Sequence, residues 1–270
     1  MAIQQFDGRT AFITGGAAGI GLGIARALAK EGARLALVDV DQAGLDAAKA
    51  ELSELTAVEA HVLDVRDRDR YREVADEVET KLGAVSLLFN NAGVAGGEPT
   101  TEMTYETWDW MVGVNLFGVV NGIQTFMPRM LARGGDSHIV NTASGAGLVV
   151  IGAGVMYTAT KFAVVGMSEA LRHGLAKHDI GVSVLCPGYV DTDIFAHSQA
   201  LSPRSGGRKR DDHPHSSALA NGVSPDDVGI MVLEAIKENR LYIYTDDMIG
   251  PYLEQRHRML LEALEPVSKH

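Results

Sequence analysis

The chain of 270 residues has one cysteine, Cys186. A single thiol excludes an internal disulfide and any zinc site built from several cysteines. Cys186 ends the apolar run Val182-Ser183-Val184-Leu185-Cys186, just before Pro187-Gly188, so a buried packing role is expected rather than a nucleophilic one. Positive charge is also scarce: 24 Lys and Arg stand against 35 Asp and Glu, a formal net charge of -11. That balance argues against capture of nucleic acid or an anionic membrane by long-range attraction, leaving a small molecule as the expected partner. No hydrophobic run is long enough to span a bilayer; the longest, Ala146 to Met156, is short and broken by glycines. Met1 to Arg9 contains no apolar signal core, and a cytoplasmic location is expected. Before residue 190 there is no linker, repeat or low-complexity segment, so residues 1–270 are expected to form one domain.

What the chain does have is alternation. Short β-branched runs (Thr10 to Thr14, Arg34 to Val40, Ala60 to Val65, Val85 to Asn90, His138 to Thr142, Val182 to Cys186) are separated by longer helical patterns. These patterns cover Ile20 to Lys30, Ala43 to Leu55, Arg68 to Leu82, Thr104 to Arg133 and the stretch around Tyr157. This rhythm predicts right-handed βαβ units, hence an α/β, doubly wound parallel sheet with helices on both faces. A polar, Gly/Pro/His-rich segment, about 192–222, has the composition of a substrate lid. A capped helix opens at Ser224-Pro225-Asp226-Asp227, and a last strand is expected over Leu241 to Thr245.

The first strand runs into Thr14-Gly15-Gly16-Ala17-Ala18-Gly19-Ile20-Gly21 and then directly into a helix. Gly15, Gly19 and Gly21 let the backbone turn tightly and approach a pyrophosphate, whose charge meets the N–H groups at the helix start beside Ala18 and Ile20. Asp39 closes the second strand, where a carboxylate accepts hydrogen bonds from ribose hydroxyls and repels a 2′-phosphate. Neither Ala18 nor Val40 offers a cation to such a phosphate, so NAD is expected over NADP. Asp64 and Val65, ending the third predicted strand, should lie at the sheet edge beside the adenine, and Asn91-Ala92-Gly93 should approach the cofactor from the fourth.

Tyr157 and Lys161 are four apart on a helical stretch and leave one face, a turn apart. An ammonium beside a phenol favours the phenolate, making Tyr157 a candidate acid/base. Ser144, after an apparent strand, is placed to hydrogen-bond the same substrate oxygen. Asn115 interrupts an apolar helix face, and a buried amide there must be hydrogen-bonded and could relay protons from Lys161.

Taken in order, Thr14 to Gly21, Asp64, Asn90 to Gly93, Asn115, Ser144, Tyr157, Lys161 and Pro187-Gly188 resemble the short-chain dehydrogenase/reductase family from Gly8 to about Thr192. The resemblance implies a single Rossmann-type domain with a seven-stranded parallel sheet and an Asn115-Ser144-Tyr157-Lys161 tetrad. In it Lys161 binds the nicotinamide ribose and depresses the tyrosine pKa, and Asn115 holds a relay water. Pro187, Gly188, Val190 and Thr192 match the segment flanking the nicotinamide. Family members commonly form homodimers or homotetramers through two long helices, here roughly Thr104 to Arg133 and Met156 to His178. The chain departs from many relatives after Tyr244: an amphipathic helix, about 250–264, replaces a glycine-rich ending. That tail resembles a bacterial subgroup that includes benzylic-alcohol dehydrogenases acting on lignin-type aryl ethers.

By position relative to Ser144 and Tyr157, the substrate should meet Val94, Ala95, Gly96, Gly145, Leu148, Val149, Val150, Met156 and Tyr189. Most are small or apolar, which favours an apolar or aromatic secondary alcohol or ketone over a polyol. Hydroxysteroid, hydroxyacyl and polyol substrates remain alternatives, as does a dinucleotide-binding regulator without turnover. The basic cluster Arg204, Arg208, Lys209, Arg210 and the pair His213 and His215 are read as a solvated loop rather than an anion clamp or metal site, and no metal is expected.

Overall fold

A computed structural model describes residues 3–96, 99–134, 136–204 and 219–264. Seven parallel strands form one sheet in the order β3-β2-β1-β4-β5-β6-β7. They are β1 (Thr10–Thr14), β2 (Arg34–Asp39), β3 (Val58–Val62), β4 (Val85–Asn90), β5 (Ser137–Thr142), β6 (Ile180–Cys186) and β7 (Tyr242–Tyr244). All five residues of β1 and all seven of β6 are buried, as strands covered on both faces must be.

The alternation of β1 divides the core in two. Ala11 and Ile13 face one side, where α1 (Gly19–Lys30), α2 (Gln42–Leu52) and α8 (Pro225–Lys237) bury Ile24, Leu28, Leu45 and Val232. Phe12 faces the other side, toward α3 (Arg68–Leu82), α5 (Gly118–Ala132) and α6 (Val155–Gly174). Its ring lies 4.7 Å from that of Phe126 and 5.6 Å from that of Tyr71. Burying a side chain of this kind contributes about 1.5–3 kcal/mol, which fixes the sheet between its helices. Strand order reverses between β1 and β4, so the loops after these strands part at their carboxyl ends and open a crevice.

Three predicted elements differ. The helix expected over Thr104 to Arg133 is interrupted: α4 (Tyr105–Val112) passes into a π-helical turn, Gly113–Phe117, before α5 begins. Gly113 and Gly118 bracket that turn and weaken regular helix there, while the Asn115 amide is drawn to the backbone of Val94. β3 ends at Val62, before Asp64 and Val65, because Asp64 Oδ1 accepts from Arg66 N–H at 2.9 Å and curls the chain off the ladder. α6 stops at Gly174 instead of reaching His178. The tail helix α9 (Gly250–Glu262) is present but leaves Met259, Leu260 and Leu261 exposed; Arg256 stacks 5.2 Å from the Phe162 ring of α6. Among the described residues no helix is long and apolar enough to cross a membrane.

Candidate active site

The crevice is a cavity of about 1310 Å³ along the carboxyl edge of the sheet. At one end Gly15 (φ +66°) and Gly19 (φ +52°) hold the β1–α1 turn in the left-handed region that favours glycine. A Cβ on Gly19 would stand 3.1 Å from Thr192 Cγ2, so the turn and Thr192 face each other across the cleft. A Cβ on Gly21 would fall 2.0 Å from Gly15 O, so the turn closes only with glycine there. Ala18, the N-cap of α1, has no side chain to cap the helix, and no acidic residue stands in the first turn. The helix start is therefore left open to an anion, the cradle a pyrophosphate fits.

Asp39 closes this end. Its Oδ1 accepts from the N–H groups of Val40 (2.7 Å) and Asp41 (3.1 Å), and its Oδ2 from Ala17 (3.2 Å). The carboxylate is thus fixed on the wall where ribose hydroxyls would reach it. Asp64 and Val65 also line the wall, but the Asp64 carboxylate is engaged by Arg66 at 2.7 Å. Asn91 braces the middle of the cleft. Its Nδ2 donates to Thr14 O (3.1 Å), its Oδ1 accepts from Thr142 Oγ1 (3.3 Å), and its N–H and that of Ala92 donate to Thr14 Oγ1. The residues present fit a dinucleotide.

At the far end the three catalytic candidates converge. Ser144 leaves β5 in extended conformation at the start of a 3₁₀ turn; its hydroxyl accepts from Ala146 N–H at 3.2 Å and is near enough to the Tyr157 phenol to favour its ionised form. Lys161 is 3% exposed; its Nζ lies 5.6 Å from the centre of the Tyr157 ring and donates to Thr142 O at 3.0 Å. Burial pulls the lysine pKa down to about 8. Burial also pushes the Tyr157 phenol above its ordinary value, with the neighbouring Ser144 hydroxyl opposing. Burial is the larger influence on the phenol, and the depression expected from Lys161 does not appear. Asn115 stands behind this group. Its Oδ1 accepts from Val94 N–H (2.8 Å), and its Nδ2 donates to Val94 O (2.9 Å) and Thr160 Oγ1 (3.4 Å). Thr160 in turn donates to Tyr157 O at 2.8 Å, tying the widened turn to the catalytic helix.

A profile of the short chain dehydrogenase family matches residues 9–201. The chain belongs to the short-chain dehydrogenase/reductase family. It is 35% identical over 274 residues to the C alpha-dehydrogenase of Sphingobium sp. strain SYK-6, covering 98% of this chain and 90% of that one. Among solved structures it is similar to a putative short-chain dehydrogenase from Novosphingobium aromaticivorans, at 39% identity and TM-score 0.83, covering 96% and 88% of the two chains. It is also similar to a short-chain dehydrogenase/reductase from Burkholderia phymatum crystallised with NAD, at 35% identity and TM-score 0.88, with 97% of each chain covered. The protein is an oxidoreductase of this family, acting on alcohols or ketones.

Of the residues expected around the substrate, Val94, Ala95, Gly96, Met156 and Tyr189 line the cavity of this dehydrogenase. Gly145, Leu148 and Val149 do not. The 3₁₀ turn after Ser144 directs them inward: Gly145 packs on Ile249, Leu148 joins the apolar cluster around Val164 and Val184, and Val149 is 2% exposed. Val150 points away and is 75% exposed. Gly21 and Asn115 support the wall from behind without facing the cavity. Pro187, Gly188, Val190 and Thr192 line the cleft. Sequence reasoning missed Trp110 and Met111 of α4, Phe195 of α7 (Ile194–Leu201), and Met248. Trp110 and Met111 could have been found as large apolar residues one turn before Asn115; Met248 lies in a segment with no motif. Arg204 reaches the cavity rim, whereas Arg208, Lys209, Arg210, His213 and His215 lie outside the described residues.

Proposed function

We propose that this protein oxidises apolar or aromatic secondary alcohols, and reduces the matching ketones, with Tyr157 as acid/base. The observation that carries the reading is the meeting of Ser144, Tyr157 and Lys161 in the same cleft as the Gly15–Gly21 turn and Asp39. The cofactor is NAD, which accepts or returns the hydride when bound. Gly15, Ala18, Gly19 and Ile20 would hold its pyrophosphate, and Asp39 its adenosine ribose. Ser144 orients the substrate oxygen by a hydrogen bond. Tyr157 exchanges a proton with that oxygen, and Lys161 supplies positive charge beside the phenol and a donor toward the nicotinamide ribose. Asn115 acts at one remove, by fixing Val94 and, through Thr160, the turn between Tyr157 and Lys161. With its amide so occupied, a relay water would rest on the backbone of the widened turn.

The substrate class follows from the wall. Trp110, Met111 and Met156 pack with Tyr157, and Phe195 and Met248 line the same cavity, offering apolar contact to a substrate. We also expect a homo-oligomer, since Phe117 just before α5, Leu131 of α5 and Val155 of α6 are exposed apolar residues on the helices through which the family resemblance implies association. The substrate reading is tested by following NADH absorbance across benzylic, steroid, hydroxyacyl and polyol alcohols. Benzylic or similarly apolar secondary alcohols should give the highest kcat/KM, and a polyol matching them would remove the apolar assignment.

A further inference from the structure

The segment after β7 carries none of the motifs by which the active site is recognised, yet it holds two turns of that site. The peptide unit joining Pro187 to Gly188 is bonded at both ends. Its carbonyl accepts from Gly145 N–H at 2.8 Å, immediately after Ser144. Its N–H, on Gly188, donates to Thr245 Oγ1 at 3.0 Å. Thr245 is 6% exposed, and its own hydroxyl donates to Asp246 Oδ2 at 3.1 Å, which leaves its lone pairs to receive Gly188. The Asp246 carboxylate is held in turn by Met248 N–H on Oδ1 at 3.0 Å. It also fills the space beside Gly188: a Cβ there would fall 2.0 Å from Asp246 Oδ2. Ile249 completes the contact from below, its Cγ2 standing 2.8 Å from where a Gly145 Cβ would be.

We infer that Thr245, steadied by Asp246, is a positioning residue that sets the plane of the Pro187–Gly188 peptide and so the seat of the nicotinamide relative to Ser144. This rests on the proposed placement of the nicotinamide against Pro187 and Gly188. Thr245 touches neither cofactor nor substrate in this scheme. Removing its hydroxyl frees the peptide to rotate without altering the glycine turn or Asp39 at the opposite end of the cleft.

The test compares NADH with ADP-ribose, which lacks the nicotinamide, by calorimetric titration of the full-length protein and of Thr245→Val and Thr245→Ser. In Thr245→Val, NADH affinity should fall about tenfold, as expected for a lost hydrogen bond that leaves an N–H unpaired. ADP-ribose affinity should stay within about twofold, and Thr245→Ser should restore NADH binding. Unchanged NADH affinity in Thr245→Val, an equal fall for both ligands, or no rescue by serine would each overturn the inference. The binding readout is separate from turnover: a wild-type protein that binds NADH more tightly than ADP-ribose but oxidises no alcohol would sink the proposed function and leave this inference standing. Equal wild-type affinity for the two ligands would remove the nicotinamide seat itself, and this inference with it.

Discussion

Tyr157 meets two opposing influences, and their balance sets how its chemistry depends on pH. Burial raises the phenol, so the free enzyme holds the proton on Tyr157 throughout the neutral range. A protonated phenol is ready to donate, which suits ketone reduction. As a base for oxidation it must first lose that proton, so oxidation should climb with pH up to 10 without reaching a plateau, while loss of the Tyr157 proton should cause no fall in reduction over the same range; kcat/KM measured in both directions from pH 6 to 10 checks the pair of slopes. Asp39 makes a separate prediction. Its carboxylate is already oriented by three backbone N–H groups, so Asp39→Ala should remove one charge-assisted interaction with the ribose and lower the NAD-over-NADP preference about 10- to 100-fold. An unaltered ratio of kcat/KM values would assign discrimination elsewhere. Both residues were legible in the sequence because spacing alone placed them, one at a strand end and one a helical turn from a lysine. Their electrostatics were not: whether Lys161 or burial dominates at Tyr157 depends on how much water the folded chain removes.

At the scale of elements, the strands and α1 through α3 lay close to where periodicity put them, because each carries a face pattern that only one packing satisfies. The π-helical turn at Gly113–Phe117 carries no such pattern. It arises from a tertiary pull, the two bonds between Asn115 and the Val94 backbone, acting on a glycine-flanked stretch. Gly145, Leu148 and Val149 were misplaced for a similar reason, since nearness in sequence to Ser144 does not reveal that a tight turn sends the chain inward. Helix α7 shows the same kind of dependence. Ser198, buried on α7, accepts from Ala95 N–H at 2.8 Å and fastens that helix to the cavity wall. Ser198→Ala should raise KM for the alcohol about fivefold through loss of roughly 1 kcal/mol, while NADH affinity holds. Steady-state kinetics with a parallel cofactor titration separates the two effects.

At the scale of the whole molecule, a histidine remote from the chemistry contributes to acid stability. His138 is buried in β5, with Nε2 2.9 Å from Ser183 Oγ, and burial, with Arg172 nearby, pulls its pKa down from 6.5 to about 3. In the unfolded chain the imidazole takes up a proton below pH 6.5, whereas in the folded chain it does not until about pH 3. Stability is therefore present above the unfolded value and lost as pH falls between the two, by up to about 1.4 kcal/mol per unit. Chemical denaturation from pH 7 to 4 should show a shallower acid limb in His138→Gln than in the wild type, and parallel limbs would refute the assignment.

The account as a whole turns on Tyr157, and one comparison tests it most directly: turnover of an apolar secondary alcohol with NAD by the wild type and by Tyr157→Phe, with NADH affinity measured on both. The phenylalanine variant should lose ~100- to 10,000-fold in kcat while binding NADH within about twofold of the wild type. A variant that binds NADH and still turns over within tenfold of the wild type would contradict it.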